Sequence, residues 1–421
     1  MVGRGGATRE RSHKHRTLIG TLAVLLAAIV AVTAVFLVRI GDATDDDSAP
    51  APSNVKSTTG PPPPLPAPVL AKDSTTAPVP TGLATRLSAA LGDSRLGGEI
   101  AASVVDVSTG RTLLDQSAAH PATPASTNKI LTGIALLATT PANFRFTTKV
   151  VAGARPGEVV LVGGGDPTLS AGSTPVYPGA ARIADLAREI RTQHVTRIVV
   201  DDSRYAGTAI GPGWDSDDVS GGYVAPITAL MTDAGLVHRG HTTRSNQPDI
   251  AAGQALARAL GAHATVVRGT APRGAKTLAA VRSAPITTIL EQTLTPSDNT
   301  LAECLGREVA VRTGEPGSFA GAAAGVRKTL ARLGIPVTGL QLADSSGLSR
   351  NDRISPATLT AALRIAAGKP ALRPLFGGMP VGGYAGTLAD RYHAADSRSG
   401  AGYVRAKTGT LSGVSSLAGV V

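Results

Sequence analysis

The chain has 421 residues, 42% of them hydrophobic, which is enough to bury a core, leaves room for two or three domains, and excludes a wholly disordered protein. Its net charge of +11 is concentrated near the start, where Arg4, Arg9, Arg11, Lys14, Arg16 and Arg39 against Glu10 put +5 on the first forty residues and leave +6 for all the rest. A charge that diffuse, with only 3% aromatic residues to stack on bases, argues against nucleic acid as a partner.

Residues 1–16 form a basic segment, and Thr17 to Val38 run for 22 residues without a charge, long enough as a helix to cross a bilayer. Asp42, Asp45, Asp46 and Asp47 follow, so the positive-inside rule places the N-terminus in the cytoplasm and the bulk of the chain outside it. The expectation is a single-pass anchor at 17–38, with a cleaved signal and secretion as the alternative. Residues 39–82 are rich in Pro, Ser and Thr, including "GPPPPLPAPV", and read as an extended spacer.

The apolar, β-branched run Ile100 to Val107, a Ser-Thr-Gly turn and Arg111 to Leu114 read as a β-hairpin. Next, "ASTNKILTGIALLA" spaces Ile130, Leu131, Ile134, Leu136 and Leu137 for a helix behind Pro124, which sets Ser126 and Lys129 on one face. Residues 147–281 change character, with strand-like "EVVLVGG" and "TRIVVDD" and helical "AARIADLAREIRTQ" and "AAGQALARALGAH", and read as an inserted β-rich region. After it, "APITTILEQTL", "GAAAGVRKTLARLG" and "SPATLTAALRIAAG" are amphipathic helices, and "AGYVRAKTGTL" ends as a strand. The expected domains are 83–146 with 282–421, interrupted by 147–281.

Three signals carry no chemistry. The glycines of "LVGGGDP" lack the Gly-Lys-Ser/Thr ending of a phosphate loop and read as a tight turn. His238 and His241 in "HRGH" have no third ligand at convincing spacing, so neither a metal nor a cofactor is expected. Cys304, the single cysteine, cannot form an intramolecular disulfide and reads as a buried thiol inside a helix.

A serine hydroxyl is a weak nucleophile at neutral pH and needs a base in reach, a role that lysine can fill only when its surroundings keep it neutral. Spacing of i, i+3 gives that reach, although Ser-x-x-Lys alone also fits an ordinary helix start. Two further stretches accompany it: Ser297, Asp298 and Asn299 in "TPSDNTLAE", and Lys407, Thr408 and Gly409 in "VRAKTGTL". In this order the three match the signature of serine penicillin-binding proteins and serine β-lactamases.

Together with "NFRFTTKV", "GGGDPTLS", "PGWDSDD", "DSSGLSRNDRISP" and "MPVGGYAGTLADR", the chain from about residue 85 onward resembles the class C, low-molecular-mass penicillin-binding proteins. These are D-alanyl-D-alanine carboxypeptidases and endopeptidases of peptidoglycan. The resemblance implies an α/β fold, a serine β-lactamase/D,D-peptidase-like domain with an antiparallel sheet flanked by helices, and inserted domains between the first two motifs. It further implies that Ser126 attacks the carbonyl between the terminal D-alanines of a stem peptide while Lys129 takes its proton. Ser297 relays a proton to the leaving amine, Asn299 holds the substrate amide and orients Lys129, and Lys407 attracts the terminal carboxylate.

Thr408 and Gly409 would line the strand against which the peptide lies, and the N–H groups of Ser126 and Thr410 would form the oxyanion hole. Arg350 is implied near the substrate carboxylate, and Asp218 and Tyr223 at the pocket mouth; Arg350 also fits a structural ion pair. "SDN" also fits a helix N-cap. β-Lactams would be covalent inhibitors. The alternative is a catalytically weak wall-binding scaffold. The resemblance also implies that the Lys-Thr-Gly strand lies at one edge of a five-stranded antiparallel sheet and is followed by two strands and a helix. Only twelve residues follow Gly409, so the expectation is a C-terminally incomplete chain of reduced stability or activity.

Overall fold

The computed structural model describes residues 82–421; the basic segment, the anchor and the spacer, up to residue 81, lie outside the described residues. The chain enters through helix α1 (Leu83–Leu91) and a hairpin of β1 (Ala102–Val105) and β2 (Thr112–Gln116), paired antiparallel as the alternation of small and β-branched residues predicts.

Helix α2 (Asn128–Thr139) is the centre of the molecule. Every residue from Asn128 to Leu137 is buried, because apolar side chains leave it all round its axis. Around it pack α5 (Ile286–Leu294), α6 (Asn299–Thr313), α7 (Phe319–Arg332), α8 (Pro356–Gly368) and the short α9 (Pro374–Gly378). Ile130, Leu131 and Ile134 of α2 share one core with Leu290, Leu301, Leu305, Val326, Leu330, Ala362 and Leu375. Helix α6 is buried from Thr300 to Ala310 although it carries Glu303, Arg307 and Glu308, and each of these charges has partners. Glu308 pairs with Arg204, and Arg307 donates to the carbonyls of Ala206, Thr208 and Gly317 while lying over the Phe319 ring. Cys304 lies in this interior, where burial pushes its thiol well above the ordinary range.

Between α2 and α5 lies a five-stranded sheet of β3 (Thr147–Ala152), β4 (Glu158–Val162), β5 (Arg197–Asp201), β6 (Thr265–Arg268) and β7 (Thr277–Arg282), in the order β6-β5-β4-β3-β7. β4, β5 and β6 are parallel, joined through α3 (Ile183–Ile190) and α4 (Pro248–Leu260), whereas β3 runs antiparallel to both its neighbours. The side-chain period of two gives the sheet a face of Val150, Leu161, Ile198 and Val200 against Ile183, Leu186 and Leu256 of the helices, and an opposite face of Val151, Val160 and Val199. Parallel pairing needs a crossover, and the two helical stretches read in the sequence supply it.

The chain closes with β8 (Arg405–Leu411) and β9 (Val414–Val420), an antiparallel pair. The resemblance implies an antiparallel sheet containing β8, and β8 does pair antiparallel with β9. Among the described residues β1–β2 and β8–β9 are separate two-stranded sheets, and the one five-stranded sheet is the mixed one of residues 147–282. Each hairpin satisfies its inner ladder, and no described strand bridges the two. Among the described residues no helix is long and apolar enough to cross a membrane.

Candidate active site

Ser126 stands in a 3₁₀ turn, Ala125–Thr127, that leads into α2. The turn begins with Ala125 at φ 46, a conformation L-residues rarely adopt, and it persists because its surroundings determine it. The Pro124 carbonyl accepts from Thr127 Oγ1 at 2.7 Å and from Ser416 Oγ of β9 at 2.6 Å. A Cβ on Gly409 would lie 2.7 Å from the same carbonyl and would collide with the Ser416 hydroxyl. The nucleophile-bearing turn is thus seated on β8 and β9, and only a residue without a side chain fits at 409. Gly409→Val is expected to lower the melting temperature, with a cost of about 1 to 3 kcal/mol, and to slow acylation by penicillin. Thermal melting and labelling rates check it, and an unchanged melt would show that the turn relocates at no cost.

One turn beyond Ser126, as the second residue of α2, Lys129 is fully buried. Its Nζ lies 2.9 Å from Ser126 Oγ, 2.7 Å from Asn299 Oδ1 and 2.8 Å from the Ser346 carbonyl. The amide oxygen and the carbonyl can only accept, so they take two N–H bonds, and the hydroxyl is the one neighbour able to donate to the amine's lone pair. Burial pushes the amine down to about 8 against the pull of Asp344, Glu303, Asp298 and Asp352.

Asn299 opens α6. Asp298 is its N-cap, accepting from Leu301 N, and is itself held by Tyr177 Oη and Arg244 Nη2, so the cap reading and the site reading are compatible. Asn299 Nδ2 donates to the carbonyl of Tyr223, whose ring is 63% exposed. Ser297 is half-buried on the turn between α5 and α6, at φ 67. On β8, Lys407 is fully buried, with its Nζ 2.8 Å from the Thr408 carbonyl; burial, then the neighbouring Lys129, push it down to about 6. Thr408 and Thr387 share a hydroxyl hydrogen bond, and Thr410 is exposed near the end of the strand.

Arg350 joins two loops: it pairs with Asp215 and donates to the Ser412 carbonyl in the β8–β9 turn. Asp218 is buried and accepts from Asp215 N at 2.7 Å, so its carboxylate builds the turn that carries Asp215 and, through its carbonyl, the N–H of Tyr223. His238 and His241 lie edge to face in an exposed loop. No group of three metal-ligating side chains occurs among the described residues.

The sequence reading missed Ser346, whose carbonyl touches Lys129, and Glu303, which accepts from the N–H groups of Ser345 and Ser346. A backbone carbonyl leaves no trace in composition. The spacing of Asn299 and Glu303, i and i+4 on one helix face, was a signal that could have found the second.

The profile of the D-Ala-D-Ala carboxypeptidase 3 (S13) family matches residues 83–246 and 238–421. The chain belongs to that family. As a member of the S13 family it is a hydrolase, a D-Ala-D-Ala carboxypeptidase. It is 42% identical over 98% of its length to the carboxypeptidase DacB of Mycolicibacterium smegmatis, covering 91% of that protein. It is 44% identical over 86% of its length to a carboxypeptidase of Mycobacterium tuberculosis, covering 82% of it. Its fold matches that of penicillin binding protein 4 from Haemophilus influenzae with a TM-score of 0.66 and 23% identity, over 76% of this S13 chain and 86% of the other. That protein has also been solved in complex with a β-lactam.

Proposed function

We propose that this S13 enzyme is a serine carboxypeptidase that works through an acyl-enzyme on Ser126, with Lys129 as the base. The observation that carries the reading is the three-way contact of Lys129 Nζ, in which two partners that only accept leave the lone pair to the Ser126 hydroxyl. Ser126 Oγ attacks the carbonyl of the penultimate D-alanine as its proton passes to Nζ. Backbone N–H groups of Ser126 and Thr410 receive the oxyanion. The C–N bond then breaks, the proton reaches the leaving amine by way of Ser297, and D-alanine departs; water hydrolyses the ester and restores Ser126.

Asn299 orients both Lys129 and the substrate amide. The peptide lies along Thr408 and Gly409, and its terminal carboxylate approaches Lys407 and Arg350, with Asp218 and Tyr223 forming the rim on the inserted side. Among the described residues Lys407 has a carbonyl but no carboxylate partner. An arriving carboxylate would supply one, return the proton to Lys407 and drive the proton from Lys129, so that the substrate arms its own nucleophile. β-Lactams, which mimic D-alanyl-D-alanine, would acylate the same serine. The domain boundaries at 83–146, 147–281 and 282–421 belong to this reading, as does a membrane anchor at 17–38 that holds the enzyme outside the cytoplasm.

Full-length enzyme incubated with purified muropeptides is expected to release free D-alanine and to be recovered with the membrane fraction. Cleaved cross-linked dimers without free D-alanine would favour endopeptidase action. Neither product would count against the enzyme, and a soluble, trimmed protein in the medium would count against the anchor.

A further inference from the structure

The acceptors that fix Lys129 trace back to one face of α6. Asn299 reaches Lys129 directly. One turn on, Glu303 is fully buried and grips the amides of the 344–347 turn: its Oε1 accepts from Ser346 N at 2.8 Å, and both oxygens accept from Ser345 N at 3.1 Å. A further turn along, Gly306 leaves the space that the Ser345 side chain fills, since a Cβ there would collide with the serine hydroxyl. From the other side, α2 holds the same turn, with Thr132 Oγ1 donating to the Ser345 carbonyl at 2.7 Å and Asn128 Nδ2 to that of Asp344 at 3.1 Å.

We propose that Glu303 is a positioning residue for the base: by clamping the 345–346 amides it aims the Ser346 carbonyl at Lys129 and keeps the lysine's lone pair on Ser126. The inference rests on Lys129 being the base. A hydrogen bond to a carbonyl on a free loop would let the amine rotate among its partners, whereas one to a turn held by a carboxylate on the helix that also supplies Asn299 gives two fixed acceptors and one direction left over. The charge of Glu303 also bears on Lys129. Around the carboxylate stand Lys129 of α2, Cys304 and Arg307 of α6, and Asp344 and Asp352 of the following loop; Asp298 and Lys407 face Lys129 besides. Burial and Asp344 push the Glu303 carboxyl up to about 8 while the amides pull it down, so its charge and that of Lys129 change over the same pH range.

The test is the rate of penicillin acylation of the full chain against pH. Glu303→Gln keeps shape but sets an amide N–H against Ser345 N and removes a charge that favours protonated Lys129. The high-pH plateau is expected to fall about tenfold, the worth of one charge-assisted hydrogen bond. The acid limb should move to lower pH. Thr132→Val loosens the same turn without a change of charge, so its plateau falls and its limb stays. Glu308→Gln, a buried carboxylate of α6 that pairs with Arg204 instead, lowers the melting temperature and leaves the limb in place.

A folded Glu303→Gln with wild-type plateau and limb overturns the inference. If that variant does not fold, a wild-type plateau in Thr132→Val overturns it. Lys129→Ala acylating like wild type would sink the base assignment instead, whereas an inert Lys129→Ala beside an unaltered Glu303→Gln sinks only the role of Glu303.

Discussion

Ser126→Ala is expected to show no covalent labelling by a fluorescent penicillin and no D-alanine release, while folding like the wild type. Among the described residues no other hydroxyl lies within hydrogen-bonding distance of Lys129 Nζ, so none of them is poised to substitute as nucleophile. The stability cost is small. The Ser126 side chain is only half-buried, and Lys129 keeps its bonds to Asn299 and Ser346, so the loss is about 1 kcal/mol, the net worth of an ordinary hydrogen bond. Labelling that survives in this variant, on gel or by intact mass, would move the nucleophile elsewhere.

Lys129→Ala should slow acylation by about 10² to 10⁴-fold, the range spanned by a general base. The pH profile sharpens the expectation. With the amine held at about 8, the wild-type rate climbs as pH rises through that value, because the deprotonated form accepts the serine proton. At pH 7 only about one molecule in ten carries a neutral Lys129, before a substrate carboxylate at Lys407 shifts the balance. The variant has no such group and should show a low rate without that limb. It also leaves Asn299 Oδ1 and the Ser346 carbonyl without their buried partner, at about 1 to 3 kcal/mol, so melting should be measured beside the rate. A variant that keeps both the rate and the limb would remove lysine from the chemistry.

Much of this arrangement is legible in the amino-acid sequence. The helix of Ser126 and Lys129, the amphipathic helices after residue 284 and the hairpin near Ile100 announce themselves by periodicity, because each buries a face or, in α2, its whole circumference. The three ordered motifs converge because α6, which begins with Asn299, packs on α2, and β8, which carries Lys407, packs on the turn that leads into α2. Other features were hidden for physical reasons. The strand runs and helices of residues 147–281 give their types but not the parallel pairing of β4, β5 and β6, since strand direction is set by crossovers. Among the described residues β1–β2 and β8–β9 are separate antiparallel hairpins, and which edges meet is not written in a strand's own residues. Glu303 looks like one more charge on a helix, because its burial against the amides of Ser345 and Ser346 exists only in the fold, and the bond from Asp215 N to the Asp218 carboxylate leaves no mark in spacing either.

The contacts that assemble the site are far apart along the chain: Lys129 meets Asn299 across 170 positions and Ser346 across 217, and Pro124 meets Ser416 across 292. Loop closure of that span comes late in folding, after local helices and hairpins have formed. A nascent or partly folded chain therefore has α2 but no oriented lysine, and its serine is an ordinary alcohol. Reactivity toward penicillin then requires these long-range closures, which makes acylation a readout of completed folding.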